Sequence, residues 1–315
     1  YEHFMSKDKW LGLTFTTKIS KNLMTNTRFD FMGTNKKSLI IVSAVIIVCI
    51  SSFAIRGLSQ SIDFTGGRNF KVQFENPVEP EQVRELIASK FGDANVSVIA
   101  IGTDKKTVRI STNYRIEDAG NNVDSEIESY LYETLKPVLT QNISLETFID
   151  RDNHTGGSIV SSQKVGPSIA DDIKTGAIYS VVLALLAIGL YILLRFRNIA
   201  YSIGSIVALS CDTIMIIGAY SLFWGILPFS LEIDQTFIGA ILTAIGYSIN
   251  DKVVIFDRVR EFFGLYPKRD KRQLFNDSLN TTLARTINTS LSTLIVLLCI
   301  FILGGDSIRS FAFAM

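Results

Sequence analysis

Residues 176–194 read GAIYSVVLALLAIGLYILL, a run of apolar and small side chains that contains no charged group. A helix needs about 17 to 25 such residues to cross the hydrocarbon core of a bilayer. Four more stretches have a similar length and a largely apolar composition: residues 39–55, 199–223, 237–256 and 286–303. The alternative interpretation is a set of buried core helices in a soluble protein, but five such runs exceed what a soluble core can use. The sequence therefore predicts an α-helical polytopic membrane protein with five complete spans.

The composition of the whole chain agrees with this prediction. Of its 315 residues, 47% are hydrophobic and 19% are charged, which is an apolar balance for a soluble protein. There are 31 Lys and Arg residues against 30 Asp and Glu residues, so the formal net charge is +1. A nucleic-acid-binding protein would need a marked basic excess, and we therefore expect no nucleic-acid partner.

Basic residues are distributed unevenly among the loops. They precede the first span, join the second span to the third, and lie between the fourth and the fifth: Lys36 and Lys37; Arg195 and Arg197; Arg258, Arg260, Lys268, Arg269, Lys271 and Arg272. Residues 222–236, between the third and fourth spans, contain no Lys or Arg. Because basic loops stay in the cytoplasm, we expect the N-terminal segment, residues 1–38, to be cytoplasmic and residues 57–174 to lie outside.

The segment between the first two spans, residues 56–175, mixes strand and helix periodicity. Strand patterns are found at residues 70–74, 96–101, 107–111 and 145–149, and helix patterns at residues 83–91 and 123–135. The order βαββαβ predicts a ferredoxin-like α+β domain on the outer side of the membrane. Pro167 follows Gly166 where a helix can begin and continue into the second span.

Residue types typical of catalytic or metal sites are scarce in this sequence. His3 and His154 lie in polar segments outside the spans. Cys49, Cys211 and Cys299 each lie inside an apolar run, without a C-x-x-C pair or a neighbouring histidine. We therefore expect no metal site, no catalytic residues and no bound cofactor, so the protein is not predicted to be an enzyme.

Ionisable groups inside the apolar spans carry the functional signal, because a charge near the bilayer centre costs about 2.5 to 3.5 kcal/mol on insertion scales. Asp251 lies within the fourth span, past its midpoint. The fifth span begins with a polar stripe whose members recur every three to four residues: Thr282, Arg285, Asn288 or Thr289, and Ser292. Desolvation favours a neutral carboxyl, whereas a nearby cation favours a charged one. Asp251 is therefore predicted to take up and release a proton, and Arg285 is predicted to be its counter-charge.

Other interpretations of these residues remain open from the sequence. Arg285 can simply anchor the end of a span, the hydroxyl groups can serve helix packing, and Asp251 can be held for structural reasons alone. Asp212, midway along the third span, is a weaker candidate, for which a proton relay and a structural polar contact are equally compatible with the sequence.

Short motifs occur in a fixed order along the chain. SIDFTGG (residues 61–67) follows the first span, VGPS (residues 165–168) precedes the second, and GYSIND (residues 246–251) with DRVRE (residues 257–261) belongs to the fourth. Together with Arg285-Thr286, they resemble signatures of the SecD/SecF translocase family, and the resemblance covers nearly the whole chain from Lys36 onward. The residues that carry it are Asp63, Phe64, Thr65, Gly66, Gly67, Gly246, Tyr247, Asn250, Asp257 and Arg258.

The sequence departs from this family's pattern at two points. Cys211-Asp212 stands where the family usually has His-Asp, which weakens a proton role for Asp212. The family's SecF has six spans, so a sixth is expected to start near Phe311 and to continue in the natural chain. By the same resemblance, residues 1–38 look like the cytoplasmic linker of a fused SecDF polypeptide.

The resemblance implies an accessory subunit of the Sec protein translocase in the cytoplasmic (inner) membrane of a bacterium, with residues 57–174 in the periplasm. Such a subunit would pair with SecD, assist SecYEG, contact YajC-like or YidC-like subunits, and use the proton motive force to promote preprotein export. Protons would be its coupling ion.

Two alternative functions follow from the same sequence. Because SecD and SecF are similar in architecture to resistance-nodulation-division transporters, the chain could be a proton-coupled exporter of small molecules or lipids. It could also be a passive subunit that only stabilises the translocon, in which case Asp251 would be dispensable.

Overall fold

The computed structural model describes residues 28–92, 94, 96–101, 104–118, 123–140, 143–152, 157–227, 229, 231–304 and 306–315. His3, His154 and most of the predicted N-terminal linker lie outside these residues. The chain divides into two compact units. The smaller unit contains the described residues up to Val42 together with Asn250–Leu294, and the larger contains Ser43–Ile249 and Ile295–Met315.

Within the described residues, five helices are long and apolar enough to cross a membrane: α1 (Phe31–Arg56), α6 (Pro167–Phe196), α7 (Ile199–Phe223), α8 (Gln235–Leu265) and α9 (Lys271–Leu303). Their outer faces carry large apolar side chains, and Leu39, Leu183 and Ile302 are each about two-thirds exposed. Water would penalise so much exposed apolar surface, whereas hydrocarbon does not. The five predicted spans lie within these helices, and the chain is a multi-pass membrane protein.

The ends of the spans follow local sequence signals. Helix α6 begins at Pro167, with Gly166 as its N-cap residue, as the sequence predicts. It ends at Phe196, and the following residue, Arg197, adopts the left-handed conformation with φ of 52°. Asn198 then starts α7, because its side-chain oxygen accepts a hydrogen bond of 2.9 Å from the amide of Ala200. The second and third spans are therefore joined by a two-residue turn.

Polar contacts hold the first span against the third within the larger unit. The hydroxyl groups of Ser52 and Ser221 are buried and 3.1 Å apart. At the end of α1, the Arg56 guanidinium donates hydrogen bonds to the carbonyl oxygens of Leu222, at 2.9 Å, and Trp224, at 2.7 Å. The carbonyl groups at a helix end have no partner inside the helix, so this arginine satisfies two groups near the end of α7.

The segment between α1 and α6 folds around a small antiparallel sheet. Its four strands are β1 (Gly67–Phe74), β2 (Val96–Ile101), β3 (Thr107–Thr112) and β4 (Gly157–Val165), in the order β2-β3-β1-β4. The helices α3 (Pro80–Phe91) and α4 (Val123–Leu135) pack on it. The central strand β1 pairs with β3 on one side and with β4 on the other, so that Phe70 lies opposite both Ile110 and Ser162.

Alternation along the strands forms the core of this domain. On β1, Phe70 and Val72 are completely buried while the intervening Lys71 points to solvent. From the helices, Ile87 of α3 and Ile127 of α4 are also completely buried. Apolar residues recur every two positions in the strands and about every 3.6 positions in the helices, and they pack together in one cluster, as the sequence patterns predict.

The predicted last strand at residues 145–149 is wrong. Leu145–Ile149 forms a short helix, α5, because Ser144 caps it by accepting a hydrogen bond of 3.2 Å from the amide of Thr147. Phe148 of this helix is completely buried. The fourth strand is Gly157–Val165, whose second half is too polar to be recognised by hydrophobic alternation.

The SIDFTGG motif connects the first span to the sheet. Its middle forms the short helix α2 (Ile62–Thr65), which ends where Gly66 takes a φ of 71°. A side chain on Gly66 would lie 3.3 Å from the Cα atom of Pro167, in the VGPS motif. On Gly67, with a φ of 152°, a Cβ atom would lie 2.7 Å from Ile62 and 2.8 Å from the carbonyl oxygen of Thr112. The two glycines are therefore required by close packing as well as by backbone conformation.

This packing makes a direct prediction for Gly67→Ala, with Gly57→Ala as the control. Both positions have a positive φ, but a Cβ atom on Gly57 would meet none of the described atoms within 4 Å. We expect Gly67→Ala to lower the stability of the outer sheet by about 2 to 4 kcal/mol and Gly57→Ala to cost about 1 kcal/mol. Hydrogen exchange of the β1 amides in the detergent-solubilised chain measures both. Equal losses would mean that the steric contact contributes nothing.

Candidate functional site

Asp251 contacts hydroxyl groups of the neighbouring span in the smaller unit. Its carboxyl oxygens lie 3.3 Å from the hydroxyl of Thr289 and 3.4 Å from that of Ser290, both on α9. Thr289 belongs to the polar stripe that the sequence predicts. The structure thus brings Asp251 and this stripe together, and Asp251 is half-buried.

The hydroxyl of Thr289 has more acceptors than it has hydrogens. It lies 2.9 Å from the carbonyl oxygen of Thr286, 3.1 Å from that of Arg285 and 3.3 Å from Asp251. A hydroxyl carries one hydrogen and two acceptor lone pairs. Thr289 can therefore donate to an ionised Asp251, or donate to its own helix and accept from a protonated Asp251. Both protonation states of the carboxyl are compatible with this partner.

Arg285, the predicted counter-charge, is placed differently. Its side chain is exposed, and among the described residues no ion pair within 4.0 Å joins it to Asp251. It lies one helical turn before Thr289, on the same side of α9. In this conformation the carboxyl of Asp251 meets hydroxyl groups, and the pairing with Arg285 stays a prediction.

Asp212 has a polar contact in the larger unit. Its carboxyl accepts a hydrogen bond of 2.7 Å from the hydroxyl of Ser248, which belongs to the GYSIND motif on α8. This contact joins the third span to the fourth. Of the same motif, Gly246 and Asn250 are exposed on α8 and Tyr247 is half-buried. An exposed face on a membrane helix is available to lipid or to a further subunit.

The DRVRE motif lies at the last turns of α8, in the smaller unit. Arg258 binds Glu261 through an ion pair of 2.7 Å and donates a hydrogen bond of 3.2 Å to Thr281 on α9. Its guanidinium also lies over the ring of Phe262, 4.7 Å from the centroid. Arg258 therefore links the ends of the two helices, while Asp257 lies beside it on the same turn.

A second polar site, the outer cluster, joins the sheet domain to the start of α8 in the larger unit. We define it by Asp63, Ser97, Arg109, Glu232 and Asp234. The Glu232 side chain is 7% exposed and accepts from Arg109 of β3 at 3.0 Å and from Ser97 of β2 at 2.5 Å. Both partners come from the sheet, so this glutamate fixes the loop before α8 to two of its strands.

The family-type motif takes part in the outer cluster. The carboxyl of Asp63 accepts a hydrogen bond of 3.3 Å from the amide of Gln235, the first residue of α8. The backbone of Ile233 forms two bonds beside it, donating to Ser59 at 2.8 Å and accepting from Ser61 at 3.0 Å. The segment around the motif is therefore tied to the N-terminus of the span on which Asp251 lies.

Asp234 immediately precedes α8, and the neighbouring residues change the pKa of its carboxyl. Its carboxyl accepts a hydrogen bond of 2.8 Å from the amide of Phe237. Burial raises the pKa of Asp234, and the nearby carboxyl of Asp63 acts in the same direction, whereas the Phe237 amide and the Arg109 charge oppose the rise. The net effect is a carboxyl that holds its proton more strongly than an exposed aspartate does.

Four residues of the outer cluster are absent from the sequence-based prediction of the site: Ser97, Arg109, Glu232 and Asp234. A signal was present, because Glu232 and Asp234 are the only charged residues in the loop of residues 222–236. The sequence of that loop predicts orientation through its lack of Lys and Arg, and it does not by itself indicate a contact with the sheet. Arg109 alternates outward on a strand and carries no sequence signal of its own, since its role depends on a residue 123 positions away.

The raised pKa of Asp234 predicts how Asp234→Asn will behave. A carboxyl whose pKa is raised in the folded state stabilises the fold when the pH is below its pKa in the unfolded state, about 3.9. This contribution is lost as the pH rises through its pKa in the folded state. Asparagine can still accept from Phe237 but cannot ionise. We therefore expect the variant to melt at a higher temperature than the native chain at about pH 8, and the difference to vanish near pH 3. Thermal unfolding in detergent measures this.

The control for this prediction is Glu81→Gln. The hydrogen bond from Arg84 lowers the pKa of Glu81, so its stabilising contribution is present at neutral pH and is lost as the pH falls. We therefore expect Glu81→Gln to lower the melting temperature at about pH 8, and only slightly, because this ion pair is exposed. If Asp234→Asn lowered the melting temperature at high pH, burial would not be the dominant influence on Asp234.

Comparison with known proteins gives concordant matches. A family model described as protein export membrane protein SecD/SecF, C-terminal, matches residues 147–315, and the SecD/SecF GG motif matches residues 51–78. The protein translocase subunit SecF of Rhodothermus marinus is 37% identical over 290 residues, which is 92% of this chain and 87% of that protein. SecF of Haemophilus influenzae is 29% identical, covering 91% and 79% of the two chains.

Solved structures show the same relationship. The crystal structure of the translocon-associated membrane protein SecDF from Thermus thermophilus matches 93% of this chain with a TM-score of 0.73 and 28% identity. The chain spans 36% of the length of that SecDF. On the family model and on the extent of the identity to SecF, this chain belongs to the SecD/SecF family of protein export membrane proteins.

Proposed function

We propose that this chain is a SecF-type accessory subunit of the Sec protein translocase, which uses the proton motive force to promote preprotein export. The observation that carries the proposal is the 37% identity to a SecF subunit over 92% of the chain. The relatives are named as translocase subunits, so neither the small-molecule exporter nor the passive subunit is favoured. We place the protein in the inner membrane of a bacterium.

The partners follow from the same relationship. The matching SecDF protein contains SecD and SecF parts in one chain, which supports SecD as the direct partner. SecYEG, through which preproteins would pass, and YajC-like or YidC-like subunits are further proposed partners. The exposed apolar faces of the spans supply surface both for lipid and for such subunits.

We infer two finer features of the architecture. Apart from the short helix α5, the element order βαββαβ and the strand order β2-β3-β1-β4 support a ferredoxin-like class for the outer domain. A sixth span is proposed to begin near Phe311, in the helix α10 (Asp306–Ala314), whose side chains include the apolar run FAFA.

Asp251 is proposed as the proton carrier. It is a carboxyl inside a membrane helix, and its partner Thr289 can serve either protonation state. One proton that crosses the membrane releases about 2.3 kcal/mol per 100 mV, so several protons supply enough free energy for a domain motion. We propose that Arg285, one turn away, becomes the counter-charge when Asp251 is ionised. Asp212 remains the weaker candidate, since its contact with Ser248 also has a structural explanation.

The outer cluster is proposed to transmit motion between the periplasmic domain and the spans. Glu232 bonds to two strands of the sheet and lies three residues before α8, the helix on which Asp251 lies. Asp63 and Ile233 add bonds between the motif and the same helix start. A displacement of the sheet therefore acts on the beginning of the span that contains the proton carrier.

Asp251→Asn tests the mechanism, with Glu261→Gln as the control. Asparagine keeps the shape of Asp251 and can still form hydrogen bonds, through one accepting oxygen and one donating NH2 group, but it cannot release a proton. We expect the variant to assemble normally and to lose the gradient-dependent part of export, measured in inverted vesicles with and without a proton gradient. Glu261, in an exposed ion pair at the end of the same helix, should tolerate its substitution.

The same export assay tests the role of Arg285 with two variants. Arg285→Lys should impair export less than Arg285→Ala, because the lysine keeps the charge and loses only the planar geometry. If Asp251→Asn kept its response to the gradient, the proton-carrier role would be wrong even though the chain is a SecF-type subunit.

The proposed orientation predicts a labelling pattern. In a variant without Cys49, Cys211 and Cys299, a cysteine at Glu117 should react with a membrane-impermeant thiol reagent added to the outside of spheroplasts. A cysteine at Lys268 should react only after the membrane is opened, because basic loops stay in the cytoplasm. Both positions are exposed. The reverse pattern would overturn the periplasmic placement of the sheet domain.

A further inference from the structure

The smaller unit contains a cavity that is separate from the contacts of Asp251. Its volume is about 550 Å³, and it lies between the first turns of α1 and the first turns of α9. The lining residues are Met32, Gly33, Asn35, Lys36, Lys271, Arg272 and Phe275. Three of these seven residues are cationic and none is acidic. Such a group of cations attracts an anion.

The walls of this cavity are held by polar bonds that do not use its lysines. The side-chain oxygen of Asn276 accepts from the amide of Phe31 at 2.7 Å. Asn280 both accepts from the amide of Phe29 and donates to its carbonyl oxygen, each at 2.9 Å. These bonds fix the start of α1 to α9. The lysines can therefore be changed without removing the contacts that form the cavity.

Arg272 has one bond to the cavity wall and further capacity for a ligand. One terminal nitrogen donates to the carbonyl oxygen of Met32 at 3.0 Å. A guanidinium group has five N–H donors in a planar fork, which matches the oxygens of a phosphate. The carboxylates at the two helix starts bind backbone amides, Asp30 that of Gly33 and Asp270 that of Gln273, and Asp277 pairs with Arg269. None of these carboxylates lines the cavity, so its lining contains three cations and no anion.

An apolar surface adjoins the cationic cavity. Lys36 is followed one helical turn later by Leu39 and Ile40, each of which is 68% exposed. Residues three and four positions apart lie on the same side of a helix, so these apolar side chains continue from Lys36 into the span. A soluble anion would leave this surface uncovered. A ligand with a phosphate and hydrocarbon chains covers both parts.

We propose that this cavity binds the headgroup phosphate of an anionic phospholipid. Lys36, Lys271 and Arg272 contact the phosphate, and the acyl chains lie along Leu39 and Ile40. Basic pockets between membrane helices at the interface are a known type of site for anionic headgroups. The bound lipid joins the starts of the first and fifth spans.

A pair of double variants tests this proposal on the purified full chain in detergent. Lys36→Gln with Lys271→Gln removes two cations of the cavity. Lys37→Gln with Lys268→Gln removes the same charge from residues that do not line it. Titration with phosphatidylglycerol, followed by native mass spectrometry, should show binding about 30-fold weaker for the first pair and within about threefold of the native chain for the second.

Three outcomes would overturn the proposal. Equal weakening by the two pairs would mean general charge attraction, and equal binding of zwitterionic phosphatidylcholine would mean that the headgroup charge is irrelevant. Displacement of the lipid by an equal concentration of inorganic phosphate would identify a soluble anion as the ligand. A measurement on the native chain guards against misfolding of the variants: phosphatidylglycerol, and not phosphatidylcholine, should protect Lys36 and Lys271 from amine modification.

Discussion

Hydrocarbon offers no hydrogen bonds, so every polar group that enters a span must find its partner within the protein. The structure meets this requirement with hydroxyl groups. Ser52 faces Ser221, Asp212 accepts from Ser248, and Asp251 contacts Thr289. Serine and threonine are suited to this role because they can both donate and accept, and because they can return their hydrogen to their own helix. A lysine or arginine partner would fix one protonation state, whereas a hydroxyl partner permits two.

Short-range contacts join the sheet domain to the same helices. The SIDFTGG motif supplies a capped turn, two glycines without room for a side chain, and a carboxyl that binds the start of α8. Glu232 adds charged bonds to strands β2 and β3. Ion pairs that are largely removed from water are costly to break on one side only, because the remaining charge stays unpaired. The domain and this end of the helices are therefore expected to move as coupled parts.

Much of this fold could be predicted from the sequence, because a run such as residues 176–194 has few alternatives. The strand and helix periods located Phe70 and Ile127 in the core correctly, and Pro167 at the start of α6. Periodicity failed at residues 145–149, where a strand and a single helical turn bury the same aromatic side chain and only the cap at Ser144 distinguishes them. Long-range polar pairs such as Arg109 with Glu232 could not be predicted, since nothing near either residue specifies the other.

One residue, Gly166, separates the last strand of the sheet from the second span, because β4 ends at Val165 and α6 begins at Pro167. A single residue reaches at most about 3.6 Å, so this joint has almost no slack. Proline fixes the first backbone angle of α6, which leaves rotation about Gly166 as the main freedom. If the strand and the span rotate relative to each other at Gly166, the far end of the 30-residue helix moves further than the end near the joint. Any lengthening of this joint would weaken the mechanical connection between the strand and the span.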